Sequence, residues 1–249
     1  MTIKISLIIP AYNEALRLPS YLSDCKKYLT QHFPEQYEIL VVDDGSSDDT
    51  VKVASAIIGD AGVLRQVPNQ GKGAAVKRGM LAAKGSLRLF ADADGATPIA
   101  EEVHLRQKIS QGYDVAIGSR AAVSAERKVD WQVKWHRHLI GRTFSLLVSA
   151  ISGLRFRDTQ CGFKMFSARA AEEVFGRAQM NGFVMDVELL FLTRKLGFKT
   201  AEIPVNWQEV KGSKVNLVRD SLKMLGGLFE IRWIHCRTDF ALTKKNLAP

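Results

Sequence analysis

Cysteine is scarce in this sequence: three residues in 249, Cys25, Cys161 and Cys236, spaced far apart. An odd and scattered set cannot build a disulfide framework or a four-cysteine zinc site, and a reducing cytosol is the simplest compartment for it. Long apolar runs are lacking too, since none reaches the ~20 residues that cross a bilayer. The stretch Ile5–Ile9 is too short for a signal peptide and meets Pro10 where a small-residue cleavage site would stand. The expectation is a soluble protein or one bound to a membrane surface.

Several catalytic signatures are also absent. Gly71-Lys72-Gly73 lacks the spacing of a P-loop, and the third glycine of a dinucleotide fingerprint is not there. His136 and His138 flank Arg137, but no His-Glu-x-x-His occurs, and there is no Gly-x-Ser-x-Gly nucleophile elbow. These gaps argue against a P-loop NTPase, a dinucleotide oxidoreductase, a zinc hydrolase and a serine hydrolase.

What is present is the composition of a folded domain, with 46% of residues hydrophobic. The net charge of +9 is unevenly spread. Residues 1–119 are almost balanced, with 13 Lys/Arg against 14 Asp/Glu, whereas residues 120–169 hold 10 against 3. A basic middle behind a neutral first half calls for a local anionic partner: phosphate groups, a lipid surface or nucleic acid.

Strand and helix patterns alternate through the first half. Ile3–Ile9, Tyr37–Val42, Val63–Val67, Leu87–Ala91 and Tyr113–Gly118 read as strands. Between them, Asn13 is expected to cap a helix running to Leu29, the serines after Asp43-Asp44-Gly45 to cap a second, and Gly85 to close a third over Gly71–Lys84. Thr97 followed by Pro98 reads as the start of a fourth. Beyond Arg120 the pattern predicts helices over Trp131–Ser152, 181–196 and Asn216–Ile234, and a strand over Phe198–Val205. This order implies one α/β domain with a mostly parallel sheet and helices on both faces. Its two halves would be 1–119 and 120–249, with amphipathic helices in the second.

Three polar clusters follow predicted strands: Pro10-Ala-Tyr-Asn-Glu14, Asp43-Asp44-Gly45-Ser46 and Asp92-Ala-Asp94-Gly95. Ligands of open α/β sheets bind outside the carboxyl ends of the strands, so the clusters share one crevice. Asp92 and Asp94 are two apart, and in extended backbone both carboxylates point to one side. Mg²⁺ and Mn²⁺ favour few carboxylates together with water and substrate phosphates. The spacing therefore reads as a metal-assisted nucleotide site. Asp158 and Glu188 stay open between a part in that site and an ordinary turn cap or ion pair, while Cys161 reads as a small buried residue.

The clusters, in this order, resemble the GT-A-fold glycosyltransferases of family 2: Ile8-Ile-Pro-Ala-Tyr-Asn-Glu14, Val41-Val-Asp-Asp-Gly-Ser46, Asn69-Gln-Gly-Lys-Gly73, Asp92-Ala-Asp94 and Gly118-Ser-Arg120. Second-half motifs are similar to those of the dolichyl-phosphate β-glucosyltransferases, namely Arg157-Asp-Thr-Gln-Cys-Gly-Phe-Lys164, Asp186-Val-Glu-Leu-Leu190 and Val205-Asn-Trp-Gln-Glu-Val-Lys-Gly-Ser-Lys214. The resemblance implies that Pro10, Ala11, Tyr12, Glu14, Asp43 and Asp44 hold the nucleotide, with Lys72 approaching it. Asp92 and Asp94 would bind Mg²⁺ or Mn²⁺ and the diphosphate. Arg120, Arg137 and Lys214 would surround the acceptor phosphate, and Asp92, Asp94 and Arg120 would form the catalytic set.

The implied reaction is inverting transfer of glucose from UDP-glucose to a polyprenyl or dolichyl monophosphate on the cytoplasmic face of a membrane. Two features depart from the pattern. Related mannosyltransferases carry a metal-binding Gln where Ala96 stands, and the N-terminal anchor of eukaryotic members is not seen here. The alternatives are another sugar, mannose from GDP-mannose or N-acetylglucosamine from its UDP donor, and a non-catalytic nucleotide or nucleic-acid module. Against the last, the basic segment has no recognisable aromatic stacking platform, so no nucleic-acid partner is expected.

Overall fold

The computed structural model describes residues 2–120, 153–154, 156–208, 210 and 217–236, the last segment with side chains from 226 to 235. The expected helix over Trp131–Ser152, with Arg137 in it, and Lys214 lie outside the described residues.

A sheet of seven strands forms the centre, in the order β3-β2-β1-β4-β6-β5-β7. Its strands are β1 (Ile5–Ala11), β2 (Tyr37–Asp43), β3 (Val63–Arg65), β4 (Leu87–Ala91), β5 (Val115–Ser119), β6 (Phe163–Ser167) and β7 (Thr200–Pro204). All neighbours pair in parallel except β6, which runs antiparallel between β4 and β5. β1 is buried at all seven positions, as expected of a strand covered on both faces.

Alternation along β1 separates two cores. Ile5, Leu7, Ile9 and Ala11 face α1 (Leu18–His32), in a core that also takes in Ala54 of α2 (Thr50–Ile58) and Leu105 of α4 (Glu102–Ser110). Ile8 faces the other way, onto α3 (Lys72–Ala82), α5 (Ala168–Arg177) and α6 (Met185–Lys195). α7 (Leu217–Cys236) joins this second core through Leu228 and Ile231. Its opposite side leaves Phe229 and Trp233 exposed. Among the described residues, no helix is long and apolar enough to cross a membrane.

Several expected helix ends are corrected by local bonding. Asn13 caps nothing: it takes a left-handed φ of 53° and its carboxamide oxygen accepts from the backbone N–H of Ser47 at 2.9 Å, while its own N–H donates to Ser46 Oγ. The two serines are thereby spent on Asn13, and α2 starts later, after Asp49, without a side-chain cap. Gly85 lies beyond the end of α3 and donates to Ser6 Oγ, so Ala83 is the C-cap. After Thr97 and Pro98 the chain makes a 3₁₀ turn, Ile99–Glu101, before α4.

Candidate active site

Register brings the polar clusters to one edge. Ala11 pairs with Asp43, so the loops after β1 and β2 leave the sheet side by side. β4 ends at Ala91 directly opposite Phe163 of β6, which sets Asp92 against Gly162; the Asp92 N–H donates to the Gly162 carbonyl at 3.0 Å. β5 ends at Ser119, which delivers Arg120 to the same edge.

Asp44 is the organiser of this edge. Only 3% exposed, its carboxylate accepts from Gln66 Nε2 at 2.7 Å and from the N–H groups of Gln70 and Gly71 at 2.8 Å each. Three donors leave it little capacity for a ligand. Instead it fixes the loop that launches α3, whose first residue is Lys72. The following residue is fixed as well, because the Gly73 N–H donates to the Asn181 carbonyl at 2.7 Å and a side chain at Gly73 would strike the Met180 carbonyl.

Lys72 reaches Asp92, with Nζ 2.6 Å from Oδ1. Burial pulls its ammonium down, but the charges of Asp92, Asp186 and Asp94 outweigh this and it is pushed up to about 12. The Asp94 carboxyl is raised from its ordinary value, chiefly by burial and further by Asp92, against the lowering effect of the Ala96 N–H that it accepts. Arg17 adds a cation in reach of both carboxylates, and Glu14 grips its guanidinium in two-pronged fashion, with Nε 2.7 Å from Oε2.

Arg120 is held by a residue far along the chain. Nε and Nη2 donate to the two oxygens of Asp158 at 2.7 and 2.8 Å, and its backbone N–H adds a third bond at 2.9 Å. Burial raises the Asp158 carboxyl, but Arg120 more than reverses that and holds it below its ordinary value. The guanidinium also stands 5.7 Å from the ring centroid of Trp207.

Behind the edge lies a buried ion pair that pattern reading does not supply. Lys164, wholly buried on β6, bonds the Asp186 carboxylate and donates to the Cys161 carbonyl at 2.7 Å. Glu188 is likewise structural: it accepts from the N–H groups of Gln179 and Met180 and lies 2.7 Å from His235 Nε2. Cys161 is buried and its thiol is pushed up to about 12 by that burial, which removes it as a nucleophile.

The remaining expected positions lie at or just beyond the ends of β1 and β2. Pro10, Ala11 and Asp43 are buried and Tyr12 is exposed. Asp92 and Asp94 bring two carboxylates to this edge, and among the described residues no group of three or more His, Cys, Asp or Glu is placed to hold a metal ion. Two carboxylates, with other positions left to water and phosphate oxygens, suit Mg²⁺ or Mn²⁺.

Acidic loops at the carboxyl ends of parallel strands, beside the start of a helix that carries a lysine, are the architecture of a nucleotide-binding α/β enzyme. The model of glycosyl transferase family 2 matches residues 6–175, and the chain belongs to that family. It is 39% identical over 248 residues to a dolichyl-phosphate beta-glucosyltransferase of Drosophila melanogaster, covering 94% of this chain and 75% of that one. To the corresponding protein of Dictyostelium discoideum it is 35% identical over 246 residues, with 93% and 74% covered. Its fold is similar to glucosyl-3-phosphoglycerate synthase from Mycobacterium tuberculosis in complex with Mn²⁺, UDP and phosphoglyceric acid: TM-score 0.67, 20% identity, 96% of this chain and 80% of that one. The expected α/β fold of GT-A type and the expected glycosyltransferase class are both borne out.

Proposed function

We propose that this enzyme moves glucose from UDP-glucose to a polyprenyl or dolichyl monophosphate, with inversion at the anomeric carbon. The observation that carries the reading is the Lys72–Asp92 contact beside Asp94, at the edge where a nucleotide diphosphate would lie, in a chain 35–39% identical to dolichyl-phosphate beta-glucosyltransferases. Pro10, Ala11, Tyr12, Glu14 and Asp43 would frame the nucleoside, and Asp44 would act through the loop before Lys72. Asp92 and Asp94 would hold Mg²⁺ or Mn²⁺, which supplies Lewis-acid stabilisation of the departing diphosphate.

A lipid phosphate needs no general base. Its second pKa is ~6, so it is mostly dianionic at neutral pH and attacks directly. What it needs is positive charge, and residues 120–169 carry the surplus. Asp158 takes the Nε and Nη2 donors of Arg120, so the phosphate would be met from the Nη1 side. Arg137 and Lys214, on sequence grounds, would complete its shell, and Arg120 would share the catalytic role with the two aspartates.

The chain is thus one domain, with a nucleotide half at 1–119 and an acceptor half at 120–249, acting peripherally at the cytoplasmic face of a membrane. The exposed Phe229, Trp233 and Arg232 of α7 fit such a surface. The test is a donor panel of radiolabelled UDP-glucose, GDP-mannose and UDP-N-acetylglucosamine, each with polyprenyl phosphate and membranes. Label should enter the lipid from UDP-glucose alone, vanish with excess chelator, and vanish in Asp94→Asn with little change in melting temperature. Label from another donor would select the other sugar, and salt-sensitive oligonucleotide binding without transfer would select the binding module.

A further inference from the structure

The Lys72–Asp92 contact couples a cation of the chain to one of the two carboxylates that, among the described residues, the proposed function offers to a metal. Both side chains are partly open to the crevice, 21% and 37% exposed, while the backbone on either side of Lys72 is fixed. Asp44 accepts from the Gly71 N–H before it, and Asn181 accepts from the Gly73 N–H after it. Only the four-carbon stem is left to move, so Nζ can travel although the helix start cannot. Asp186, itself tied to Lys164, adds its field behind the ammonium.

With Asp92 neutralised, a divalent cation arriving alone would find Asp94 and water, too few hard ligands to hold it well. We infer that Lys72 is a resident counter-cation that keeps Asp92 closed to free metal until a nucleoside diphosphate arrives. The nucleotide sugar brings what both partners need: phosphate oxygens as further ligands for the metal, and an anion to receive Lys72. The exchange is electrically neutral, since the two negative charges of a diphosphate diester match the two positive charges of the metal, so the site keeps its net charge. Metal and donor are thereby taken up together, and a metal ion without a donor does not lodge among the carboxylates. The inference rests on the donor reading above.

The test is a titration of the full-length chain with Mn²⁺, followed by electron paramagnetic resonance of the free ion, with and without UDP. Wild type should bind Mn²⁺ much more tightly with UDP than without. Lys72→Met should gain affinity for Mn²⁺ alone by about two- to five-fold, the scale of releasing a partly exposed ion pair, while its Mn²⁺-dependent UDP binding weakens. Lys72→Arg keeps the charge and should keep metal-alone binding at the wild-type level. Wild type that takes Mn²⁺ equally well without UDP would overturn the inference, as would Lys72→Met with unchanged metal-alone affinity or Lys72→Arg that behaves like Lys72→Met. Should Lys72→Met fail to fold, Lys72→Gln, which also removes the charge, should show the same gain in metal-alone affinity, and no gain there would overturn the inference as well. A wild type that binds no UDP at any Mn²⁺ concentration refutes the donor reading instead, and leaves the metal-alone comparison of Lys72→Met with wild type to be read by itself.

Discussion

Arg120 and Asp158 are 38 residues apart in sequence and joined by three hydrogen bonds, two to the guanidinium and one to the backbone N–H. The pair closes the end of β5 against the segment that enters β6. It also fixes which edge of the guanidinium faces outward, so under the proposed function Asp158 would set how Arg120 meets a phosphate without touching it.

That pairing gives a pH dependence with a definite sign. The carboxyl of Asp158 is held below its unfolded value of ~3.9. Its contribution is therefore fully present at neutral pH and is lost as pH falls through the acid range below about 4. Arg120 keeps 36% of its side chain exposed, which limits the cost of Asp158→Asn to about 1–2 kcal/mol. Urea denaturation at pH 7 and pH 3.5 should show the variant less stable than wild type at the first and closer to it at the second. An equal deficit at both values would contradict the charge assignment.

Asp44 predicts a different balance between stability and binding. Asp44→Ala strands three N–H donors, those of Gln66, Gln70 and Gly71, at a cost of about 2–4 kcal/mol. Because the freed loop carries Lys72, nucleotide affinity should fall although Asp44 itself is spoken for. Calorimetry of UDP with Mn²⁺, run well below the melting temperature of the variant, separates the two effects. Undiminished UDP affinity would mean that Lys72 does not depend on the loop.

The buried pair of Lys164 and Asp186 should respond asymmetrically to single and double substitution. Asp186→Leu leaves a buried ammonium uncompensated, which costs about 3–5 kcal/mol. Replacing both, as in Lys164→Met with Asp186→Leu, removes the charge problem and should recover most of that loss. Thermal melts of the two single variants and the double variant check this, and a double variant no better than the worse single one would speak against it.

The same lysine explains what the sequence hid. Leu87–Ala91 is legible as a strand because every residue but Arg88 is apolar, and the edge formed by the loops after β1, β2 and β4 follows from the parallel order. β6 is not legible, since Lys164 sits within Phe-Lys-Met-Phe and reads as a surface charge; the partner Asp186, 22 residues away, supplies the opposite charge that makes a buried lysine tolerable. α5 had a signal in Ser167, whose side chain caps the Ala170 N–H. The caps expected at Asn13 and the serines failed for a related reason: side chains able to cap a helix nearby accept instead from backbone N–H groups of each other's loops, across more than 30 residues. Long-range pairing between loops has no local pattern to announce it.

Two glycines at the edge should behave oppositely when given a methyl group. A Cβ on Gly162 would fall 2.0 Å from Oδ2 of Asp92 and 2.2 Å from its Cγ, both in a side chain that can rotate away. A Cβ on Gly73 would fall 2.3 Å from the Met180 carbonyl oxygen and 2.8 Å from the carbonyl carbon of Asn181, which are backbone. Relief at Gly162 therefore costs the site its carboxylate position, whereas relief at Gly73 costs the contact between α3 and the 180–181 segment. Gly162→Ala should melt close to wild type, within about 1–2 kcal/mol, yet lose at least about ten-fold in Mn²⁺-dependent UDP affinity and in transfer, since a carboxylate moved by an ångström no longer meets its cation. Gly73→Ala should lose several kcal/mol of stability first, with its residual folded fraction impaired in nucleotide binding through Lys72. Urea melts paired with UDP titrations read both axes for both variants. If Gly162→Ala keeps wild-type UDP affinity in the presence of Mn²⁺, the Asp92 carboxylate is not where the nucleotide and metal are held.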